Sequence, residues 1–331
     1  MTFLPAALPI TGTVFFPEDP EVLVPAVERI GAVLAGGLGA IVVAARRRGR
    51  PLTSGVLFLR WRTWLIAAPL YLAAIAWSRW TALGFVVALS VQSAREYSDV
   101  VALARPYRAA LIAASATAPA VLLARPELWP ALPPFVLLAA TLVPLVRQDV
   151  LEGPRQLGMA MLGFVLVPWT LGFVLLIRQQ VPGGVRILLP IGLAVALSDV
   201  LAFLVGSAAA RRRPRSGADA PVPMLSRKLA PVLSPAKTRA GVLGNLCGAL
   251  LGWWLLRPIL PGWLPEIAGW CMPVAIAAAA AWGDLVESLL KRYGGVKDAG
   301  NCLPGFGGLL DRIDSLLLVL PASYLLLGAL R

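Results

Sequence analysis

Apolar residues run in long stretches along this chain, and polar positions gather in the short segments between them. The apolar runs are roughly 17 to 25 residues long, enough for an α-helix to cross a hydrocarbon layer about 30 Å thick. Charged residues, proline or glycine bound each run, and this pattern predicts ten helices. We place them at 22–45, 63–78, 80–94, 109–124, 132–146, 158–177, 187–208, 242–260, 265–290 and 314–330. The second and third are short, so a tilted pair, an interfacial pair and one broken helix all stay open.

The composition agrees with this pattern. Of the 331 residues, 58% are hydrophobic and 14% are charged, and the mean hydropathy is +0.78, well outside the usual range of soluble domains. We therefore predict an all-α, polytopic integral membrane protein with about ten transmembrane helices. The cysteines lack CxxC spacing, which argues against a disulfide framework or a zinc site. The first apolar stretch follows no basic segment, so we expect no cleaved signal peptide.

The basic residues predict an orientation. The net charge is +13, but Lys and Arg lie in short loops rather than on a soluble face, so we expect no nucleic-acid partner. With ten helices, 23 of the 30 basic residues fall on one side of the membrane. They lie at 46–62, 95–108, 147–155, 211–239 and 291–312. The positive-inside bias makes that side cytoplasmic and puts both termini outside, in a multi-pass protein of the cell (inner) membrane.

Acidic residues are scarce, which makes their positions informative. The chain has 17 of them, and five lie between Asp284 and Asp314. A carboxylate inside a bilayer helix costs roughly 2.5 to 3.5 kcal/mol, so it normally faces a partner, a cavity or an ion. The ninth predicted helix carries polar residues spaced i, i+3, i+4 and i+7, which share one face. They are Asp284, Glu287, Ser288 and Lys291, just below the cytoplasmic surface.

The segment after this helix is rich in glycine and charge. Glycines at 305, 307 and 308 let backbone N–H groups approach a phosphate, and the start of the last helix adds partial positive charge. Hard oxygen ligands beside a bound polyphosphate favour Mg²⁺ over zinc or copper. A purely structural alternative exists: basic residues at a membrane surface often contact lipid head groups, and Asp311 with Arg312 can simply cap the last helix.

Three segments of this region resemble the signature of phosphatidate cytidylyltransferases, also called CDP-diacylglycerol synthases. They are 288–292 (SLLKR), 297–298 (KD) and 303–314 (LPGFGGLLDRID), matching in order and spacing over 27 residues. A weaker match, 228–231 (KLAP) with 234–238 (SPAKT), resembles the family's cytoplasmic loop before its last helices. Asp199 stands where the family has an aspartate that begins a small-residue and aromatic motif.

The resemblance implies a reaction and a set of residues. Phosphatidic acid and CTP would give CDP-diacylglycerol and pyrophosphate, with Mg²⁺ bound by Asp284 and Asp311 and with Asp314 and Asp298 as further ligands or supporting groups. Catalytic contacts to phosphates are implied for Lys291, Arg292, Lys297 and Arg312. Substrate contacts are implied for Ser234, Lys237, Thr238, Ser288, Gly305, Gly307 and Gly308. Asp199 stays open between the metal cavity and a buried partner.

Three positions depart from the family pattern. Phe306 replaces a usual histidine in a chain without any histidine, Ala240 replaces a glutamate, and Leu201 replaces a glycine. The departure at 306 is not decisive by itself, because the attacking phosphate oxygen is already anionic near neutral pH and strictly requires no general base. The departures do keep a second hypothesis open, a divergent paralogue with another nucleotide or lipid substrate or with no activity.

The resemblance also suggests a division of the chain. We assign 1–190 to N-terminal membrane helices of unassigned role, because only their architecture supports the resemblance. We assign 191–331 to a cytidylyltransferase-like region with a cytoplasmic loop at 209–241. The expected partners are CTP, phosphatidic acid and the lipid bilayer, and a homodimer is left open. A transporter or lipid-binding scaffold is a third hypothesis, but the sequence shows neither inverted repeats nor paired broken helices.

Overall fold

A computed structural model describes residues 20–47, 56–211, 224–302 and 307–331. These residues form eleven α-helices, which we number in chain order. They are α1 Pro20–Arg47, α2 Val56–Ala76, α3 Arg79–Val100, α4 Arg105–Ala124, α5 Leu132–Arg147, α6 Gly153–Phe164, α7 Thr170–Gln180, α8 Gly184–Arg211, α9 Arg239–Leu255, α10 Ala268–Tyr293 and α11 Leu310–Ala329. The all-α fold is confirmed.

All ten predicted segments are helical. The sixth is built from α6 and α7, which a π-helical turn at Val165–Trp169 joins into one span, Gly153–Gln180. The third extends further than predicted, because α3 runs to Val100 and so includes Glu96. Helix α11 begins at Leu310, earlier than predicted. Both differences lie at charged residues. A prediction from hydropathy alone leaves such residues out of a helix, so it makes the helix too short.

Seven of these helical spans, among the described residues, are long and apolar enough to cross a membrane. The other three are α2, whose apolar part is confined to Trp61–Ala76, α3, which carries several charges, and α9, which has 17 residues. The protein is therefore a polytopic membrane protein by length and composition, and the count of ten crossings stays a prediction.

Helices differ in how much of their surface the fold buries. Every residue of α7 from Thr170 to Arg178 is buried, so this helix is enclosed on all sides, as expected for one that is apolar all round. Helix α5 has no buried residue, and its apolar side chains face outward, as they do on a lipid-facing helix. The core therefore centres on α7.

Helices α8 and α9 pack closely against each other, and glycines make this close approach feasible. Gly244, Gly248 and Gly252 lie four residues apart on one face of α9. A Cβ atom at Gly248 would lie 2.2 Å from the backbone oxygen of Leu197 on α8. Small residues at such spacing let two membrane helices pack backbone against backbone. This contact holds α9 beside Asp199 of α8, close to the site described below.

Replacing Gly248 by alanine is expected to lower the free energy of unfolding by about 1–3 kcal/mol, because the added methyl group must push α8 and α9 apart. The matched control is Gly158→Ala on α6, where an added Cβ meets nothing within 4 Å. The control should be neutral or slightly stabilising, because alanine favours helix more than glycine does. The measurement is the thermal midpoint of both variants in detergent, and equal midpoints would contradict the tight contact.

A short β-hairpin occupies the second half of the loop between α8 and α9. Strand β1 is Lys228–Ala230 and strand β2 is Ser234–Thr238, and they pair antiparallel. These are the two segments whose sequence resembled a family loop. The hairpin leads directly into α9, because Thr238 Oγ1 accepts a hydrogen bond from Gly241 N at 3.2 Å and so caps that helix.

Candidate active site

Three carboxylates from α10 and α11 meet below the hairpin. Asp284, Glu287 and Asp314 each place one carboxylate oxygen within 4.8 Å of the others. Asp284 and Glu287 come from one face of α10, as their spacing predicted, and Asp314 lies in the first turns of α11. Glu287 thus joins the cluster in which we had expected Asp311.

Gly283 makes this meeting feasible. A Cβ atom at this position would lie 2.3 Å from the backbone oxygen of Asp314, a distance that no real contact allows. With glycine there, the backbone of α11 passes directly over α10 next to Asp284. Gly283 therefore allows the two helices to approach closely, and the adjacent Asp284 contributes a carboxylate to the cluster.

Two lysines contact this cluster of carboxylates. Lys237 Nζ of the hairpin lies 2.6 Å from Asp284 Oδ1, and Lys291 Nζ lies 2.5 Å from Glu287 Oε2. Both are ion-pair distances, so each lysine offsets part of the charge of one cluster carboxylate. The Oε1 atom of the buried Glu287 has no hydrogen-bond partner among the described residues, and a bound cation would satisfy it. The donor set, all carboxylate oxygen, fits Mg²⁺.

A small cavity of about 20 Å³ adjoins this cluster. Glu287 and Asp314 face it, and the rest of its lining is mainly apolar, including Leu166 and Val167 of the π-helical turn. Its size matches about one water molecule. Turns of this kind often occur at functional sites, and here the turn lines the same cavity as two of the three carboxylates.

Asp311 makes different contacts from those we expected. Its Oδ1 accepts a hydrogen bond from Lys291 Nζ at 2.9 Å. Its Oδ2 accepts hydrogen bonds from Ala299 N at 2.9 Å and Gly308 N at 2.8 Å. The side chain therefore ties the glycine-rich turn to α10 through Lys291, and the N–H of Gly308 is already used. A role for Asp311 as a metal ligand stays a prediction.

Asp199 of α8 lies on the same side of the fold as the carboxylate cluster. Ser315 Oγ donates a hydrogen bond to Asp199 Oδ1 at 3.1 Å, and Ser315 directly follows Asp314 in the chain. The sequence left two alternatives for Asp199, the metal cavity and a buried partner. Asp199 has a buried hydroxyl partner, Ser315, and this residue is next to a carboxylate of the cluster.

The hairpin residues have mixed roles. Lys237 reaches the cluster, whereas Thr238 is the buried cap of α9 and Ser234 pairs with Ala230 in the hairpin. Arg292 Nε donates a hydrogen bond to the backbone oxygen of Leu233 in the hairpin turn at 3.1 Å. Arg292 therefore holds the hairpin over the site, and its expected phosphate contact stays a prediction.

The remaining predicted residues surround this centre. Ser288 is buried on α10, while Lys297, Asp298 and Arg312 are exposed. Gly307 has a positive φ of 82°, which favours glycine, and a Cβ there would lie 3.5 Å from that of Asp298. Gly305 and Phe306 lie outside the described residues.

The sequence analysis missed one residue of this region, Glu96 on α3. Its carboxylate is 5% exposed and accepts hydrogen bonds from Leu309 N at 3.0 Å and Leu310 N at 2.7 Å. Glu96 could have been found by the rule that we applied to Asp284, which states that a carboxylate in an apolar helix normally has a partner. We had ended the third helix at residue 94, which put Glu96 in a loop.

Known proteins resemble this chain over most of its length. The model of the cytidylyltransferase family matches residues 58–330, so the similarity begins well before residue 190. Phosphatidate cytidylyltransferase of Bacillus subtilis (strain 168) is 43% identical over 102 residues, which are 31% of this chain and 38% of that protein. The enzyme of that name from Pseudomonas aeruginosa is 32% identical over 176 residues, 53% of this chain and 58% of the relative. The alignments thus cover less than two thirds of these curated relatives.

Proposed function

Because the chain belongs to the cytidylyltransferase family, we propose that it transfers a cytidylyl group from CTP to phosphatidic acid, giving CDP-diacylglycerol and pyrophosphate. The observation that carries this proposal is the group Asp284, Glu287 and Asp314 with Lys237 and Lys291 in contact with it. Carboxylates that hold a cation, beside lysines and a glycine-rich turn, suit chemistry between two polyanions.

The proposed reaction is a displacement at phosphorus. An oxygen of the lipid phosphate forms a bond to the α-phosphorus of CTP while the bond from that phosphorus to the β-phosphate oxygen breaks. Pyrophosphate leaves with the bonding electron pair. The nucleophile is already anionic near neutral pH, so no residue has to remove a proton. Catalysis then depends on positioning the substrates and on neutralising their charge.

The residues of this site divide these two tasks. Asp284, Glu287 and Asp314 would hold Mg²⁺, which supplies charge neutralisation at the phosphates when bound. Lys291 contacts both Glu287 and Asp311 and would keep a positive charge at the floor of the site. Lys237 is carried by the hairpin and would bring a second positive charge from above.

The decisive assay uses the purified protein in detergent with Mg²⁺, phosphatidic acid and labelled CTP. Formation of CDP-diacylglycerol supports the proposal. Turnover only with another nucleoside triphosphate or lipid would favour the divergent paralogue, and absence of turnover with all of them would favour a scaffold or transporter. The departures at Phe306, Ala240 and Leu201 make the nucleotide screen a necessary part of the assay.

We propose that the site opens to the cytoplasm, since the basic loops surround it. Cys302 is exposed in the loop between α10 and α11, so a variant with Cys247 and Cys271 replaced by alanine gives a single reporter. A membrane-impermeant maleimide is expected to label it only after intact cells are permeabilised. Adding Glu266→Cys, in the loop between α9 and α10, should give labelling in intact cells. The reverse pattern would overturn the orientation.

A further inference from the structure

Glu96 is a buried carboxylate that the proposed chemistry does not use. It lies on α3, and the groups that it binds lie 213 and 214 residues later, at the start of α11. Gln92 Nε2, one turn earlier on α3, donates a third hydrogen bond to Glu96 Oε1 at 3.0 Å. A membrane helix seldom keeps a charged residue without a role, because an ionised carboxylate there is unfavourable.

The contact supplies what α11 lacks. Leu309 is the residue at the N-terminal boundary of α11, and it makes no side-chain capping hydrogen bond. The first N–H groups of a helix need acceptors from elsewhere, and a negative charge there also interacts favourably with the helix dipole. Glu96 meets both needs from another helix. Its two oxygens bind two successive amides and so fix where α11 begins.

The glycine-rich turn closes around the same carboxylate. A Cβ atom at Gly300 would lie 2.9 Å from Glu96 Cδ, and one at Gly308 would lie 2.5 Å from Glu96 Oε2. These glycines thus leave room for a carboxylate of the protein itself. Asp311 binds the amides of Ala299 and Gly308 in the same turn. Two carboxylates therefore fix this turn together.

We propose that Glu96 is a positioning residue for the reaction, acting through the first turns of α11. That helix carries Asp311, which holds Lys291, and Asp314, which belongs to the carboxylate cluster. A shift of its first turns would displace both relative to α10. The inference rests on the proposed function, and it assigns part of the site's geometry to the N-terminal helices, whose role the sequence analysis left unassigned.

The test is Glu96→Gln, which keeps the size of the side chain but removes its charge and turns an NH₂ group toward one of the two amides. We expect kcat per folded protein to fall about 10- to 100-fold, because small displacements of reacting groups have effects of this size. The KM values for CTP and phosphatidic acid should stay within about twofold. Hydrogen exchange at Leu309 and Leu310 should become faster.

The matched control is Asp99→Asn, which removes a carboxylate from the same helix. Asp99 forms an exposed ion pair with Arg108, so neither kcat nor the exchange at Leu309 and Leu310 should change. A merely structural role for Glu96 would lower the yield of folded protein but leave kcat per folded protein unchanged. Normal turnover by folded Glu96→Gln would therefore overturn the proposal, whatever its exchange rates.

Two further outcomes are covered. If Glu96→Gln does not fold, Gly300→Ala tests the same contact by pressing a methyl group against the carboxylate, and a folded Gly300→Ala variant with normal kcat would overturn the proposal. If the wild-type chain gives no CDP-diacylglycerol, the proposed function fails. Hydrogen exchange then still tests the contact between Glu96 and the start of α11. Unchanged exchange at Leu309 and Leu310 in Glu96→Gln would refute that contact.

Discussion

Replacing Asp314 or Asp284 by asparagine is expected to abolish Mg²⁺-dependent turnover while the protein stays folded. Each substitution replaces, by a neutral amide, one of the three carboxylates that place an oxygen within 4.8 Å of one another. Losing a ligand of the proposed Mg²⁺ corresponds to several kcal/mol, on the order of a 10³-fold loss of kcat. The stability of Asp314→Asn should be unchanged or slightly higher, because the substitution relieves repulsion between like charges. In Asp284→Asn this gain is offset by the loss of the ion pair with Lys237.

The measurement is CDP-diacylglycerol formation as a function of Mg²⁺ concentration, with the thermal midpoint recorded in parallel. Glu266→Gln, an exposed position in the loop between α9 and α10, is the control for loss of one negative charge. An Asp314→Asn variant with full activity would remove Asp314 from the metal site. Asp311→Asn is the informative comparison, since Asp311 binds two backbone amides and Lys291 and its loss should lower the thermal midpoint as well as turnover.

Replacing Lys291 by methionine is expected to lower both turnover and stability. Lys291 Nζ lies between the carboxylates of Glu287 and Asp311, whose side chains are only 5% and 4% exposed. Removing one partner of a buried ion pair leaves an uncompensated charge, which we expect to lower the free energy of unfolding by up to about 3 kcal/mol. Loss of the positive charge beside the phosphates should lower kcat on the order of 10²- to 10³-fold.

A double variant separates these two effects. In Lys291→Met with Asp311→Asn, one of the two unpaired carboxylates is also neutralised, so the double variant should lose less stability than the two single variants lose together. Turnover should not return, because the positive charge is still missing. Thermal midpoints and kcat of the two single variants and the double variant complete the cycle. Recovery of turnover in the double variant would show that Lys291 serves the fold rather than the chemistry.

The sequence predicted the helices well because the bilayer leaves few alternatives. A backbone surrounded by hydrocarbon must satisfy its own hydrogen bonds, so each long apolar run becomes a helix. The polar face of α10 was predictable for the same reason. Carboxylates such as Asp284 and Glu287 are tolerated in an apolar helix when they share a partner, a cavity or an ion. The hairpin was not predicted as strands, since its segments are short and carry proline, but its resemblance to a family loop marked it as structured.

The assignment of single roles was harder, because each depends on contacts between distant segments. Nothing near Thr238 in the chain distinguishes a helix cap from a substrate contact until α9 is known to begin at Arg239. Glu287 and Asp311 are both acidic residues of the motif region, and only the packing of α11 on α10 shows which of them faces Asp284. Glu96 lies more than 200 residues from its partners, beyond any local pattern.

That distance has a consequence for how the protein is made. A ribosome that adds roughly 5 to 20 residues per second needs on the order of 10 to 40 s to pass from Glu96 to Leu309. During this interval the carboxylate has only Gln92 of its partners described here. Helix α3, which is not among the seven spans that are long and apolar enough to cross a membrane, therefore gains its full stability only when the last helix arrives. A chain that stops before α11 therefore lacks the two backbone amides that bind Glu96, and α3 lacks the stabilisation that they provide.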